Sequence, residues 1–588
     1  MTAASENGSA PWVVAGELWG SGEWSAELDG AGIAGVRFRD TLVLTGVRAV
    51  VRDHDWNTCA LEVDAKEQIG SSLRLTLRCP EPGVQLEGSL EFDASGRALS
   101  VALDLTVGTD FETNRVGLVV LHSASLSGTE LTVEHTDGSV QRTAFPGAVS
   151  PRQPVFDIVA LTWCAGDLDA ALRFDGDVFE MEDQRNWTDA SFKTYSRPLA
   201  LPFPYLLGTG SRVRQTVRLE VEEGSPQRAV ATVGPHSSSR DRIVLDADGT
   251  FPAIGLGAST APDPAPRANA PIGSFRVVEL DLTTPNWPAA LDRAASSGLP
   301  LDVRLVLDDD HPHSLDDAAR MLAGLRLVRV AAFNRAGPAR HVSDAPAVAA
   351  LRDALAQAGV SSPVVGGARS HFTELNRERH RLPRDLDGVV FATTPLFHEL
   401  GTRQLVRSLA MQRIVAAQAV AENADAPVHV GPVTLRPRFN DVATSPQPHA
   451  TGTTLRDGYG AQFAHADDPR QTAPELAAWT IASAAALAVP GVASLTYYEE
   501  WGPRGITDAG GTEYPVAAAV RSLAELSGAQ LLHGDSADGL IWAIGARSGE
   551  RETLLVANLD DRRREVAVVT DSASTSVVVD AGSWRRAG

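Results

Sequence analysis

Between Phe179 and Tyr195 the chain gathers Glu182, Asp183, Arg185, Asn186, Asp189, Lys193 and Tyr195 around two aromatic rings, Trp187 and Phe192. Opposed charges at this density cannot be buried unless each is paired. Two readings follow. In the first the stretch faces a polyol: rings stack on the C–H face of a sugar while charged and amide groups satisfy its hydroxyls. In the second it is a salt-bridge knot where two domains meet.

More candidates stand in the second half of the chain: Arg369, His371, Glu374 and Asn376; His398 and Glu399; Arg436, Arg438 and Asn440; and the run Tyr498, Glu499, Glu500, Trp501. Two carboxylates from separate segments are the recurrent tool for hydrolysing sugar-like bonds. One moves a proton and the other activates water or attacks directly. Glu374 and Glu499 are the expected catalytic pair. Adjacent residues at a strand end point to opposite sides, so only one of Glu499 and Glu500 should face a site. The expected substrate-binding set is Asp183, Arg185, Asn186, Trp187, Asp189, Lys193, Tyr195, Arg369, His371, Asn376, His398, Arg438, Tyr498, Glu500 and Trp501. Asp308, Asp309, Asp310, His311 and His313 offer possible metal ligands, but a solvated helix-capping loop looks the same. No metal and no cofactor are expected. Gly255-x-Gly257 lacks a third glycine, since Thr260 stands there, and neither a P-loop nor a G-x-S-x-G elbow occurs.

The elements that must position these residues change character along the chain. Up to about residue 223, short alternating runs recur between turns at Asp29-Gly30, Asp93 to Gly96 and Asp137-Gly138, and this spacing predicts an antiparallel β-sandwich. Residues 223–238 are polar and turn-rich, a linker. Beyond it, apolar strand-like runs alternate with Ala/Leu/Arg-rich helical segments. Eight such runs can be counted, beginning near residues 253, 276, 301, 327, 363, 388, 428 and 493. Eight βα units in about 280 residues match a (β/α)8 barrel of the TIM type, whose active site lies at the C-terminal ends of the strands. Further strands after residue 540 are too few for a core of their own and predict a β appendage. The expected domains are 1–238, 239–530 and 531–588.

At 588 residues with 43% hydrophobic and 21% charged side chains, the chain reads as an ordinary globular protein of two or three domains. A net charge of −22 argues against nucleic acid and anionic membranes as partners and favours a small molecule. Three cysteines without C-x-x-C spacing support neither a disulfide framework nor a zinc knuckle. Residues 1–11 lack the basic start and apolar core of a signal peptide, no apolar run reaches transmembrane length, and a cytoplasmic location is expected.

The run from Glu180 to Tyr205 (EMEDQRNWTDASFKTYSRPLALPFPY), the segment Phe372 to Arg377 (FTELNR) and the segment Gly431 to Asn440 (GPVTLRPRFN) together resemble the D-apionate lactonase family, in the same order and over nearly the whole chain. The resemblance implies hydrolysis of D-apionolactone to D-apionate, a step in breakdown of the branched pentose apiose. One segment departs: a Pro-x-x-His-Ala-Phe-Asp-like motif is expected where Pro395 to Gly401 reads PLFHELG. A sandwich beside a barrel equally suits a retaining glycoside hydrolase acting on a pentoside, or a non-catalytic carbohydrate-binding protein.

Overall fold

The structure, a computed structural model, describes residues 16–224, 242–262, 265–266, 270–445, 450–459 and 467–588. The polar N-terminal residues 1–11 and most of the expected linker lie outside them. Among the described residues, seventeen strands between Leu18 and Glu223 form one antiparallel sheet curled into a sandwich. Alternation drives this: Ala98–Val107 buries every second side chain, so one face of each strand packs inward. Glycines at positive φ, Gly30, Gly96 and Gly138, sit at the three expected turns.

The eight parallel strands follow as β1 (Ala253–Gly257), β2 (Phe275–Asp281), β3 (Leu301–Val306), β4 (Leu327–Phe333), β5 (Gly366–Gly367), β6 (Val389–Thr393), β7 (Val428–Val433) and β8 (Val492–Glu499). Each pairs with its neighbour, β8 returns to β1, and a Val330–Val364 bridge closes the ring between β4 and β5. The all-buried patterns of β3, β6 and β7 are those of strands covered on both faces. Side chains fill the barrel rather than leaving a pore. Asp302 on β3 accepts from Arg329 on β4 at 2.7 Å, and Arg329 reaches His429 on β7 at 3.1 Å and Ser494 on β8 at 3.0 Å. Burial, assisted by the Arg329 charge, pushes His429 down to about 3, so it sits neutral as an acceptor. Arg304 donates to the Gly431 carbonyl at 2.6 Å. A Cβ on Gly431 would meet Thr496 at 2.7 Å, so only glycine fits there.

The C-terminal strands do not join the N-terminal sheet. Arg242–Val244 pairs in parallel with Arg564–Val569, and Asp246–Thr250 pairs with Gln530–His533. Residues 242–250, assigned by sequence to the start of the barrel, therefore belong to the same β unit as the tail, around a core that includes Ile243, Leu245, Leu532 and Val566. No disulfide joins Cys59, Cys79 and Cys164. No helix among the described residues is long and apolar enough to cross a membrane.

Candidate active site

At the C-terminal ends of the strands a cleft of about 70 Å³ is lined by Ser259 and Thr260 after β1, Glu279 on β2, Thr434 and Arg438 after β7, and Glu499 at the end of β8. Glu499 accepts from the Thr260 hydroxyl at 2.8 Å and the Thr260 amide at 3.0 Å, with Arg504 Nε at 3.4 Å. In the same cleft, Glu279 is clamped by two arginines. Arg369 bonds one carboxylate oxygen and Arg438 Nη1 the other at 3.1 Å, while Arg438 Nη2 also reaches the Arg369 carbonyl. Burial alone would raise Glu279. The Arg369 and Arg438 charges outweigh it and hold the carboxyl down to about 2. A larger hollow, about 450 Å³, lies beside Pro271, Ile272 and Arg521. It abuts the start of β2, the end of such barrels that carries stability rather than chemistry.

The Glu279 clamp has a measurable consequence. A carboxyl whose folded pKa lies below its unfolded value of about 4.3 contributes stability that is full above that value and fades as pH falls toward about 2. Replacing Glu279 with glutamine should therefore flatten the acid limb of a stability–pH curve between about pH 4.5 and 2, by on the order of 3 kcal/mol. Urea denaturation at stepped pH reads it; parallel curves for the two proteins would contradict it.

The other expected site residues divide by place. Glu499 faces the cleft, whereas Glu500 points out of the barrel to Arg276 at 3.1 Å. Tyr498 borders the cleft, but its hydroxyl turns away to Thr480 at 2.9 Å. Trp501 is buried beneath the Arg293 guanidinium. Glu374 is not among the cleft's lining residues. It lies in the first turn of a short helix, α1 (Phe372–Glu378), and its Oε2 accepts from the Ser370 hydroxyl at 2.7 Å and the His371 amide at 3.1 Å. A helix N-terminus favours such a reach-back, and this local capping holds the Glu374 carboxylate.

Asp183, Arg185 and Asn186 do not reach a ligand surface. Arg185 bonds Asp183 at 2.7 Å and donates to the carbonyls of Pro146, Gly147 and Ala148. Both side chains of the ion pair are essentially inaccessible, at 1% and 0% exposure. Asn186 accepts from Asn376 at 2.9 Å, and the Asn186 carbonyl accepts from Thr373 at 3.0 Å. Trp187 stacks on Phe397 at 4.3 Å and touches the His371 and His398 rings. The stretch is thus a knot between domains, clamped onto α1 and onto α2 (Thr402–Glu422), where Gln404 donates to the Thr188 carbonyl.

Two further clusters sit in the same seam. Lys193 pairs with Glu182 at 2.6 Å, and His398 Nδ1 lies 2.6 Å from Asp189 Oδ2. Burial and the Glu399 charge lift Asp189 well above the carboxylate range, and burial with the Lys193 charge drops His398 well below its own. Tyr195 is fully buried and donates to Glu180 at 2.5 Å. The second cluster is His371, Glu374 and Asp441, each offering a ligand atom within 4.8 Å of the others. His371 bonds Asp441 at 2.9 Å. Asp441 is held below the carboxylate range chiefly by His371 against its own burial, and Glu374 is raised by burial and by Asp441. These three are the residues that could hold a metal. Asp308 instead pairs with exposed His311 at 3.0 Å.

Sequence reasoning missed Glu279, Asp441, Thr260 and Arg504. A signal existed for Glu279, the one acid inside an otherwise apolar β2 run, Val277 to Leu280. Asp441 stands one residue beyond a segment already singled out.

Two family models match the chain: D-apionate lactonase, N-terminal domain, over residues 7–224, and D-apionate lactonase, TIM barrel domain, over residues 265–528. A D-apionate lactonase of Brucella anthropi is 28% identical over 546 residues, covering 86% of this chain and 87% of that one. Solved structures with a similar layout include a β-arabinopyranosidase (9% identity, TM-score 0.27, covering 96% of this chain and 98% of that one). A GH30 endoxylanase from Clostridium papyrosolvens matches at 9% identity and TM-score 0.38, covering 58% of this chain and 98% of that one. Likenesses at these scores carry no functional weight.

Proposed function

This chain belongs to the D-apionate lactonase family, and on that premise we propose that it opens D-apionolactone to D-apionate with water in the cleft at the barrel mouth. The observation that carries the reading is that a carboxylate (Glu499) and an arginine clamped against Glu279 (Arg438) line the same cleft. Glu499 takes a proton from water as the oxygen attacks the lactone carbonyl carbon. The Arg438 guanidinium stabilises the developing oxyanion, and Glu279, held ionised, fixes that guanidinium in place. The ring C–O bond then breaks, and the departing alkoxide recovers the proton from Glu499. The products are a free hydroxyl and a carboxylic acid, which ionises to the carboxylate by giving its proton to solvent. Glu374 has no part in this water path: it caps α1, the helix that clamps the Trp187 stretch.

A panel of aldonolactones and aryl pentosides tests the reading. Turnover of lactones with no release of nitrophenol supports it. Nitrophenol release lost in both Glu279→Gln and Glu499→Gln would move the chemistry to a retaining glycosidase. Chelation gives an independent check. Treatment with EDTA followed by desalting is expected to leave lactone turnover unchanged. Loss restored by zinc or manganese would transfer the water-activating role to His371, Glu374 and Asp441.

A further inference from the structure

The barrel-facing side of the N-terminal sheet carries a second concentration of charge, outside the cleft. Arg52 and Arg115 stand directly opposite each other on the antiparallel strands Thr41–Asp53 and Phe111–Ser123. Like charges in that relation repel. The Arg52 guanidinium reaches only neutral oxygens, the Trp56 carbonyl at 3.4 Å and the Thr58 hydroxyl. Arg115 is 6% exposed, and its Nε and Nη2 have no hydrogen-bond partner. Its carbon centre lies 3.7 Å from the Tyr195 ring centroid and 5.1 Å from that of Trp56. Aromatic rings meet the faces of a guanidinium; its N–H groups lie in the plane and still need an acceptor. Lys193 adds a third cation whose ammonium feels both arginines. Asp189 acts on Arg52 from a distance and Glu182 pairs with Lys193, but the buried Nε and Nη2 of Arg115 keep two parallel donors without an acceptor.

We propose that Arg115 and Arg52 form an anion site for the carboxylate of a sugar acid, whose hydroxylated carbon chain lies along Trp56 and Phe203. A carboxylate matches the planar fork two-pronged. Phe203 packs edge-on against Trp56 at 5.3 Å and is 41% exposed, so the aromatic edge opens to solvent. The choice of a sugar acid rests on the lactonase reading, since lactone opening releases one. The anion site itself does not.

Isothermal titration of the full chain with sodium D-ribonate, a five-carbon aldonate, tests this, with inorganic phosphate and acetate as separate arms. Saturable ribonate binding is expected, weakened at least tenfold in Arg115→Met and also weakened in Arg52→Gln. Arg52→Gln keeps the test open if Arg115→Met fails to fold. No saturable ribonate binding by the unaltered protein overturns the proposal, as does unaltered binding in both variants. Phosphate or acetate binding as tightly as ribonate would mean an adventitious ion only and overturns it too. Lactone turnover measured alongside separates the two ideas: ribonate binding without turnover leaves this site standing while the lactonase reading falls.

Discussion

Replacing Glu499 with glutamine is expected to lower kcat for lactone opening by about 10²–10⁴-fold, the usual worth of a positioned proton-transfer group. KM should change little, because the amide keeps the shape of the carboxylate and one oxygen for the Thr260 hydroxyl. The fold should survive. Glu499 sits at the end of β8, and its bonds to Thr260 and Arg504 hold a rim rather than the barrel core. A thermal melt close to that of the unaltered protein makes the kinetic loss interpretable. Glu500→Gln is the matched control, because Glu500 pairs with Arg276 and does not line the cleft. If Glu499→Gln retains more than about a tenth of the turnover, another base activates the water.

The second large effect falls on stability. Arg185→Met is expected to cost about 3–5 kcal/mol, because it strands the Asp183 carboxylate in a place water does not reach. The arginine also donates to the carbonyls of Pro146, Gly147 and Ala148, and its loss leaves Pro146 and Gly147 to share the Ser127 hydroxyl. Urea denaturation followed by tryptophan fluorescence is the measurement, and Trp187 reports on the seam directly. In a chain of several domains the transition of the N-terminal domain must be resolved before a free energy is assigned. Arg185→Met combined with Asp183→Leu should recover part of the loss, since removing both charges leaves no stranded ion. A single-variant cost under about 1 kcal/mol would mean that solvent reaches the pair.

Much of the architecture was legible from periodicity. The eight apolar runs became β1 to β8, and Ala/Leu/Arg-rich segments between them became helices such as α2. Parallel strands buried on both sides announce themselves as continuous apolar runs. The tail was harder to place: strands as short as Arg242–Val244 have no periodicity of their own, and their membership is decided by pairing with residues more than 300 positions away. The candidate site was legible only in outline. Glu499 and Arg438 follow from the rule that barrel strands present chemistry at their C-terminal ends. Glu374 obeys the same rule yet turns aside, because the seven-residue helix α1 was not anticipated and its first turn captures the side chain. Charge density between Phe179 and Tyr195 marked a special place without saying what occupied it. Buried ion pairs and ligand contacts demand the same residue types, so composition alone could not separate them.

The pairing of residues 242–250 with strands after the barrel has a consequence for how the molecule can be cut. The segments leading into and out of the eight βα units are hydrogen-bonded into one small sandwich, like two ends of a belt held by a buckle. A chain ending at residue 530 would not simply shed an ornament. It would leave Ile243 and Leu245 without the partners that cover them and would free the entry strand of the ring to fray. Excision at both ends removes buckle and belt-ends together, but it would also bare the helix Glu475–Leu487, whose buried face packs against Trp542, Ile544 and Leu555 of the same β unit.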